Sequence, residues 1–256
     1  MKRIYSFLTF LLMLTAANVQ GQLFLELDGT YLAPIALNQD NYGFSEMDYA
    51  YRSGYQGGLG IGYGFGLVHH VQVGIYYSAQ GVDYANTFKE VLHEKSVKLD
   101  YLHIPVLYRL VSSDVSSGRI GTRFSLAVGP YFGILLNSNI DWALDGDAVS
   151  MAQFHMSQNR NPNIAEIKTM LGADGNPEDY STLFESLDIG LTGSLGVRSY
   201  FTEELFLNAE VIAGFGFQDI NSEPWRYDNS QGEYKKTQNL FGGIRIGLGY
   251  FFSGKE

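Results

Sequence analysis

Residues 119–136 read RIGTRFSLAVGPYFGILL, and they separate into two interleaved sets. Ile120, Thr122, Phe124, Leu126, Val128, Pro130, Phe132, Ile134 and Leu136 make one set, nearly all apolar and mostly bulky. Arg119, Gly121, Arg123, Ser125, Ala127, Gly129, Tyr131 and Gly133 make the other, which is small, polar or cationic. A β-strand sends successive side chains to opposite faces. This segment is therefore a strand with one greasy face and one face of small residues and arginines.

Seven further segments repeat the pattern. The first spans about Leu23 to Ala33, with Leu23, Leu25, Leu27 and Tyr31 opposite Glu26, Asp28 and Thr30. The second runs from about Tyr55 to Phe65, with glycine at 58, 60, 62 and 64 on the small face. The third is about Val71 to Val82 and alternates less cleanly. The fourth, about Lys98 to Val111, sets Leu102, Ile104, Val106, Tyr108 and Leu110 against Tyr101, His103, Pro105, Leu107 and Arg109. The opening segment is the fifth. The others are about Leu187 to Phe201, Leu205 to Gln218, and Asn239 to Phe252, which place Asp188 and Arg198, Glu210, and Arg245 on their polar faces. Connections alternate between short and long, the longest being about Asn137 to Ser186. Short turns at one end and long loops at the other mark an outer-membrane barrel.

A soluble barrel also alternates, with its apolar face inward. Two features decide against it. Eight segments with about five bulky apolar groups each supply about forty, too many for an eight-stranded interior that side chains just fill. The other face is glycine-rich and carries Glu26, Asp28, Asp188 and Glu210 beside Arg109, Arg123, Arg198 and Arg245. Small residues suit a narrow lumen, and buried charges need partners. Four acids against four bases predict a nearly neutral polar plug, with Arg123 facing one of the four acids. The fold class is therefore all-β: an eight-stranded antiparallel transmembrane up-and-down barrel, its bulky face in lipid. Tyr31, Tyr55, Tyr63, Tyr108, Tyr250 and Phe252 lie near strand ends on that face, as an interfacial aromatic girdle would.

The N-terminus has the layout of a secretory signal peptide: Lys2 and Arg3, an apolar run from Phe7 to Ala17, then Val19-Gln20-Gly21. The expected division is a signal over residues 1–21 and one barrel domain over 22–256. No later run is long and apolar enough for a membrane helix. The chain has no Cys, so pairing and packing must stabilise it. Its net charge of −10 argues against nucleic acid as a partner.

The run Tyr101-Leu102-His103-Ile104-Pro105-Val106-Leu107-Tyr108-Arg109-Leu110 resembles the fourth strand of the PorT-like outer-membrane β-barrel family of Bacteroidetes. That family usually carries an acid where His103 stands. Gly129-Pro130-Tyr131-Phe132-Gly133 is similar to its fifth strand, and Asp188-Ile189-Gly190 with Gly193 and Gly196-Val197 to its sixth. Gly214-Phe215-Gly216 with Asp219-Ile220-Asn221 is similar to the end of its seventh. The resemblance implies a Gram-negative outer-membrane barrel and no particular reaction.

Motifs for chemistry are sparse. The glycines at 58–64 never complete a phosphate loop, and no helix follows them. The histidines lack ligand spacing, so neither metal nor cofactor is expected. Pro105 predicts a bulge or bend in its strand. The expected function is structural: a closed polar lumen, with surface loops meeting an envelope protein partner, beside an envelope or secretion assembly by family analogy. Alternatives are a lipid-modifying enzyme, for which His93 with Ser96 is the pair to test, and a small passive pore. The long loop is the functional candidate. Ile164 to Leu171 could form a short helix within it, and Trp142, Phe154, Met151 and Met156 could cap the barrel mouth.

The barrel reading predicts heat-modifiable migration. Unboiled protein extracted from outer membranes should run faster on SDS gels than boiled protein. A chain that stays soluble in the periplasm without detergent would overturn the assignment.

Overall fold

Strands crossing hydrocarbon must pair every N–H and C=O, which an open sheet cannot do at its edges. The computed structural model resolves this by closure. It describes residues 21–37, 47–113, 120–157, 171–226 and 234–252. Eight long strands form the ring: β1 (Gly21–Leu37), β3 (Gly54–Phe65), β4 (His69–Phe88), β5 (Val91–Val111), β6 (Gly121–Leu144), β8 (Leu187–Tyr200), β9 (Leu205–Gly216) and β10 (Gln238–Phe251). Each pairs antiparallel with its sequence neighbours, and β1 with β10 closes the circle. Two three-residue strands lie outside the ring. β2 (Asp48–Ala50) pairs with β4, and β7 (Asp147–Val149) pairs with β6. One helix, α1 (Met151–Ser157), follows β7. No helix among the described residues is long and apolar enough to cross a membrane. β1 begins at Gly21, where the expected signal segment ends; residues 1–20 lie outside the described residues.

Burial alternates along the ring strands as the two sets of residues require. On β6, Phe124, Leu126, Val128, Phe132 and Ile134 are exposed, while Arg123, Ser125, Ala127 and Tyr131 are buried. Leu195 on β8 and Val211 on β9 present 61% and 64% of their surface outward. The lumen glycines make room for rings. A Cβ at Gly249 would lie 2.0 Å from the Phe206 ring, and one at Gly214 would lie 2.2 Å from the Phe241 ring. Each ring therefore packs over its paired residue on the adjacent strand, which has no side chain.

All six expected girdle residues are exposed. Tyr55 stacks towards Tyr77 at 5.9 Å on the long-loop side, and Tyr250 meets Phe252 at 5.5 Å on the short-turn side. Tyr55 and Tyr63 stand eight residues apart on β3. That is roughly 26 Å along a strand, or about 20 Å along the membrane normal at a tilt of ~40°. The value is close to the ~25 Å apolar band of such barrels.

Three expectations are corrected. The stretch between the third and fourth segments is not a long loop. β4 and β5 continue to Phe88 and Val91, and a two-residue turn joins them, with Lys89 and Glu90 at φ 50° and 68°. Positive φ at both positions is the type I′ hairpin geometry, which matches strand twist. The long loop does not begin at Asn137, because β6 runs on to Leu144. Pro105 causes no bulge: the β5–β6 register is the same on both sides of it. The register shift falls instead at Asp100/Tyr101, where Asp100 pairs with Asn137 and Tyr101 with Leu135. Leu136 is the extra residue. Leu136 and Asn137 both face outward, so Ser138, Ile140 and Trp142 turn inward.

A charge on the lipid wall should be costly in a depth-dependent way. Leu195→Arg should destabilise the folded barrel by about 2–4 kcal/mol. Asn139→Arg, on the polar upper wall, should be near neutral. Denaturant unfolding in lipid vesicles would measure both.

Candidate functional site

The lumen is filled in layers. At the short-turn end Phe24, Tyr200, Phe206 and Phe251 form a buried aromatic floor. Its rings stand 5.1–6.3 Å apart, the spacing of edge-on and offset aromatic contacts.

Above the floor lies the ionic layer. The eight charged residues expected in the lumen are all buried there or beside it: Glu26, Asp28, Arg109, Arg123, Asp188, Arg198, Glu210 and Arg245. They do not sort into four acid–base couples. Arg198 reaches Glu26 at 3.3 Å, while its Nε donates to Asn208 at 2.8 Å. Asn208 also donates to Glu26. Glu210 serves two cations, pairing with Arg109 and with Arg245 at 3.6 Å, and it accepts from Ser125 at 3.2 Å. Asp28 takes the Tyr76 hydroxyl at 2.7 Å. Asp188 takes the Tyr131 hydroxyl and the Asn239 amide, each at 3.0 Å. Arg123 lies at the floor, its guanidinium 5.3 Å over the Tyr200 ring. Arg198, opposite Arg123 in register, is the one that meets Glu26.

Sequence reasoning missed the neutral half of this network. Tyr76, Asn208, Asn239 and Gln72 occupy inward positions, so strand parity was the available signal. A count of charges alone passed over them. His103 accepts from the Gln56 amide at 2.9 Å and packs on Tyr131 at 4.4 Å. Among the described residues no group of three His, Asp or Glu side chains is placed to hold a metal.

The upper end is apolar. Val82 and Tyr84 of β4, Val97 and Leu99 of β5, and Ile140 and Trp142 of β6 form its wall. Met151 and Phe154 of α1, together with Leu183, Phe184, Ile220 and Trp225, fill it. Trp142 meets Phe154 at 4.7 Å. Of the four expected capping residues, Trp142, Phe154 and Met151 are buried in this crown, whereas Met156 is 63% exposed on the far face of α1. The expected helix at Ile164 to Leu171 falls outside the described residues except for Leu171, which bridges to Pro177.

Asp219 ties the crown's connections together. Its Oδ1 accepts from the backbone N–H groups of Asn221 and Thr237, both at 3.1 Å. Its Oδ2 takes the Tyr234 hydroxyl at 2.5 Å and Arg226 Nε at 3.1 Å. Arg226 also reaches Glu185 at 3.0 Å. Asp219, Tyr234, Arg226 and Glu185 line a cleft of ≈ 790 Å³ together with Leu187 and Phe217. Burial, with Asp219 as acceptor, pushes the Tyr234 hydroxyl up and keeps it a donor.

His93 and Ser96 are not brought together. His93 Nδ1 contacts the Val91 carbonyl at 3.0 Å, and Nε2 contacts Ser157 at 2.8 Å. Ser96 donates to Asp83 at 2.7 Å and accepts from Arg52 at 3.0 Å. His93 is 1% exposed, beneath Phe88 and Phe154. Beside it α1 carries His155, packed 5.1 Å from Trp142. Burial, with the charge of Lys95 adding to it, pulls the His155 imidazole down to about 3.

The family profile described as "Outer membrane protein beta-barrel domain" matches residues 27–216. The chain belongs to that family. It is an outer-membrane β-barrel protein, and the outer membrane is its location. Among solved structures it is similar to Neisserial surface protein A, at 10% identity and TM-score 0.44, over 90% of this chain and 97% of that one. It is also similar to OprG from Pseudomonas aeruginosa, at 14% identity and TM-score 0.39, over 91% and 97%. A third is Ail of Yersinia pestis, solved with the heparin analogue sucrose octasulfate, at 8% identity and TM-score 0.35, over 90% and 99%. No curated protein matches the sequence.

Glu210 is the acid on which two buried arginines depend. Glu210→Ala should destabilise the barrel by about 3–5 kcal/mol, because it leaves buried cations uncompensated. Equilibrium unfolding in detergent or vesicles reads this directly.

Proposed function

We propose that the protein is a non-conducting, non-enzymatic outer-membrane scaffold that meets an envelope protein partner through its extracellular crown. The observation that carries this reading is the continuous filling of the lumen. The aromatic floor, the ionic layer and the apolar crown follow one another along the barrel axis. A porin-like path needs a water-lined lumen; here charged groups are turned on one another. The described parts of the two connections that build the crown are tied by Asp219 and by packing, which suits a surface presented to a protein.

The resemblance at Tyr101 to Leu110 and at Asp219-Ile220-Asn221 supports placing the chain in the PorT-like branch of Bacteroidetes, beside an envelope or secretion assembly. The second of these motifs is the one that ties the crown: Asp219 holds the connections, Ile220 is buried among the apolar groups, and Asn221 donates to Thr237 at 2.9 Å. Against an enzyme stands the sealing of His93 under aromatic rings.

Two measurements test the reading. Purified protein in planar bilayers should show no unitary conductance steps; regular steps would overturn the sealed lumen. A photo-crosslinking residue in place of Met156, at the exposed face of α1, should yield a discrete protein adduct in living cells, and one in place of Leu195 should not. The absence of adducts from every exposed crown position would sink the scaffold reading.

A further inference from the structure

We propose that the ionic layer contains a built water site: one water molecule, bound between the Arg245 guanidinium and the carboxylates of Asp28 and Glu210, completes the layer at the centre of the lumen. This goes beyond the scaffold reading and does not depend on a partner.

The donors of Arg245 carry the argument. Arg245 is 3% exposed on β10, and its Nε and Nη1 have no hydrogen-bond partner among the described residues. A guanidinium only donates, and it does not shed its charge to escape burial. A buried donor left without an acceptor costs its full desolvation. Glu210 Oε2 lies 3.6 Å from Nη1, an ion-pair distance but too long for a hydrogen bond. Glu210 is also held where it is: Oε1 takes Arg109 and Ser125, and Oε2 takes Arg109 Nη2 at 3.4 Å.

Asp28 supplies the matching acceptor. It is 4% exposed on β1; its Oδ2 takes the Tyr76 hydroxyl at 2.7 Å, and its Oδ1 has no partner among the described residues. That oxygen lies over β10 beside Arg245. Asp28 pairs with Gly247, two residues from Arg245 on the same face, and a Cβ at Gly247 would lie 2.1 Å from Oδ1. The Arg245 guanidinium in turn stands 5.9 Å over the ring of Tyr76, the residue that donates to Asp28. No ion pair joins Asp28 to Arg245. Two neighbouring groups of opposite charge, both buried and both short of a partner, are the setting for a bridging water.

The chemistry of the surrounding groups selects the occupant. An anion there would face Asp28, Glu210 and Glu26; a cation would face Arg245, with Arg109 and Arg198 behind the acids. A neutral molecule that accepts from the guanidinium and donates to two carboxylates satisfies all three groups. Water does this with three hydrogen bonds, the usual number for a buried one. The aromatic floor and the apolar crown close the lumen on either side, so this water should exchange slowly with bulk.

Full-length protein folded in detergent serves for two measurements. In crystals diffracting well enough to place ordered water, a density peak should lie about 2.7–3.2 Å from Asp28 Oδ1 and from an Arg245 N–H. In solution the Arg245 Nε–H should show a magnetic cross-peak to a long-lived water. Asp28→Asn keeps an acceptor oxygen and should keep the cross-peak. Asp28→Leu fills the space with methyl groups and should lose it. Should Asp28→Leu not fold, the density and the wild-type cross-peak decide alone. A direct Arg245–Asp28 contact, ordered side chains with no peak between them, absence of the wild-type cross-peak, or a cross-peak that survives in folded Asp28→Leu overturns the proposal.

Discussion

One constraint governs this structure: a strand in hydrocarbon has no water to satisfy its backbone, so every edge must be paired. Closure of β1 on β10 follows from that alone. Closure in turn creates an interior, and an eight-stranded ring is just wide enough for side chains to fill it. The second problem of the fold is therefore the first one moved inward. Every polar group facing the lumen must find a partner there, because none is available through the wall.

The lumen answers with shared rather than paired charges. Glu210 lies between Arg109 and Arg245, and Arg198 spans Glu26 and Asn208 while lying 4.1 Å over Phe206. Burying an isolated ion pair is close to neutral at best, and the geometry must supply further hydrogen bonds to balance desolvation. Ser125, Asn208 and Tyr76 supply them. The glycines paired with these rings on the adjacent strand complete the arrangement, since rings as large as Phe206 and Phe241 fit only where Gly249 and Gly214 have no Cβ.

Much of this was legible in the sequence for a physical reason. Parity is a local property, so residues 119–136 disclosed both faces of β6 without knowledge of its neighbours. The lumen's charged members followed from the same parity. What escaped depends on pairing between strands. The β6 bulge at Leu136 reverses the facing of everything beyond it, and Trp142 would point outward if alternation continued unbroken. The β4–β5 hairpin was concealed because its outward face turns polar at Asp83, Lys98 and Asp100 and so reads as loop. The partner of Arg123 was misjudged because a count of charges contains no height along the barrel axis.

That polar outer face explains the crown. At the level of the membrane the outside is apolar, and lipid contact stabilises the wall, so the inside can be ionic. Above the membrane the same strands meet water. Their outer faces carry Asp83, Glu94, Lys98, Asn139 and Asp141, and apolar burial outside is lost. The interior must then supply it, and it does: β4, β5 and β6 turn Val82, Tyr84, Val97, Leu99, Ile140 and Trp142 inward, and α1 with the turns at Leu183 and Trp225 packs into them. The protein inverts its own polarity along one axis, from apolar outside and ionic inside to polar outside and apolar inside. The inversion occurs where β6 inserts its extra residue, because that bulge brings Ile140 and Trp142 into the interior at the height where the solvent changes.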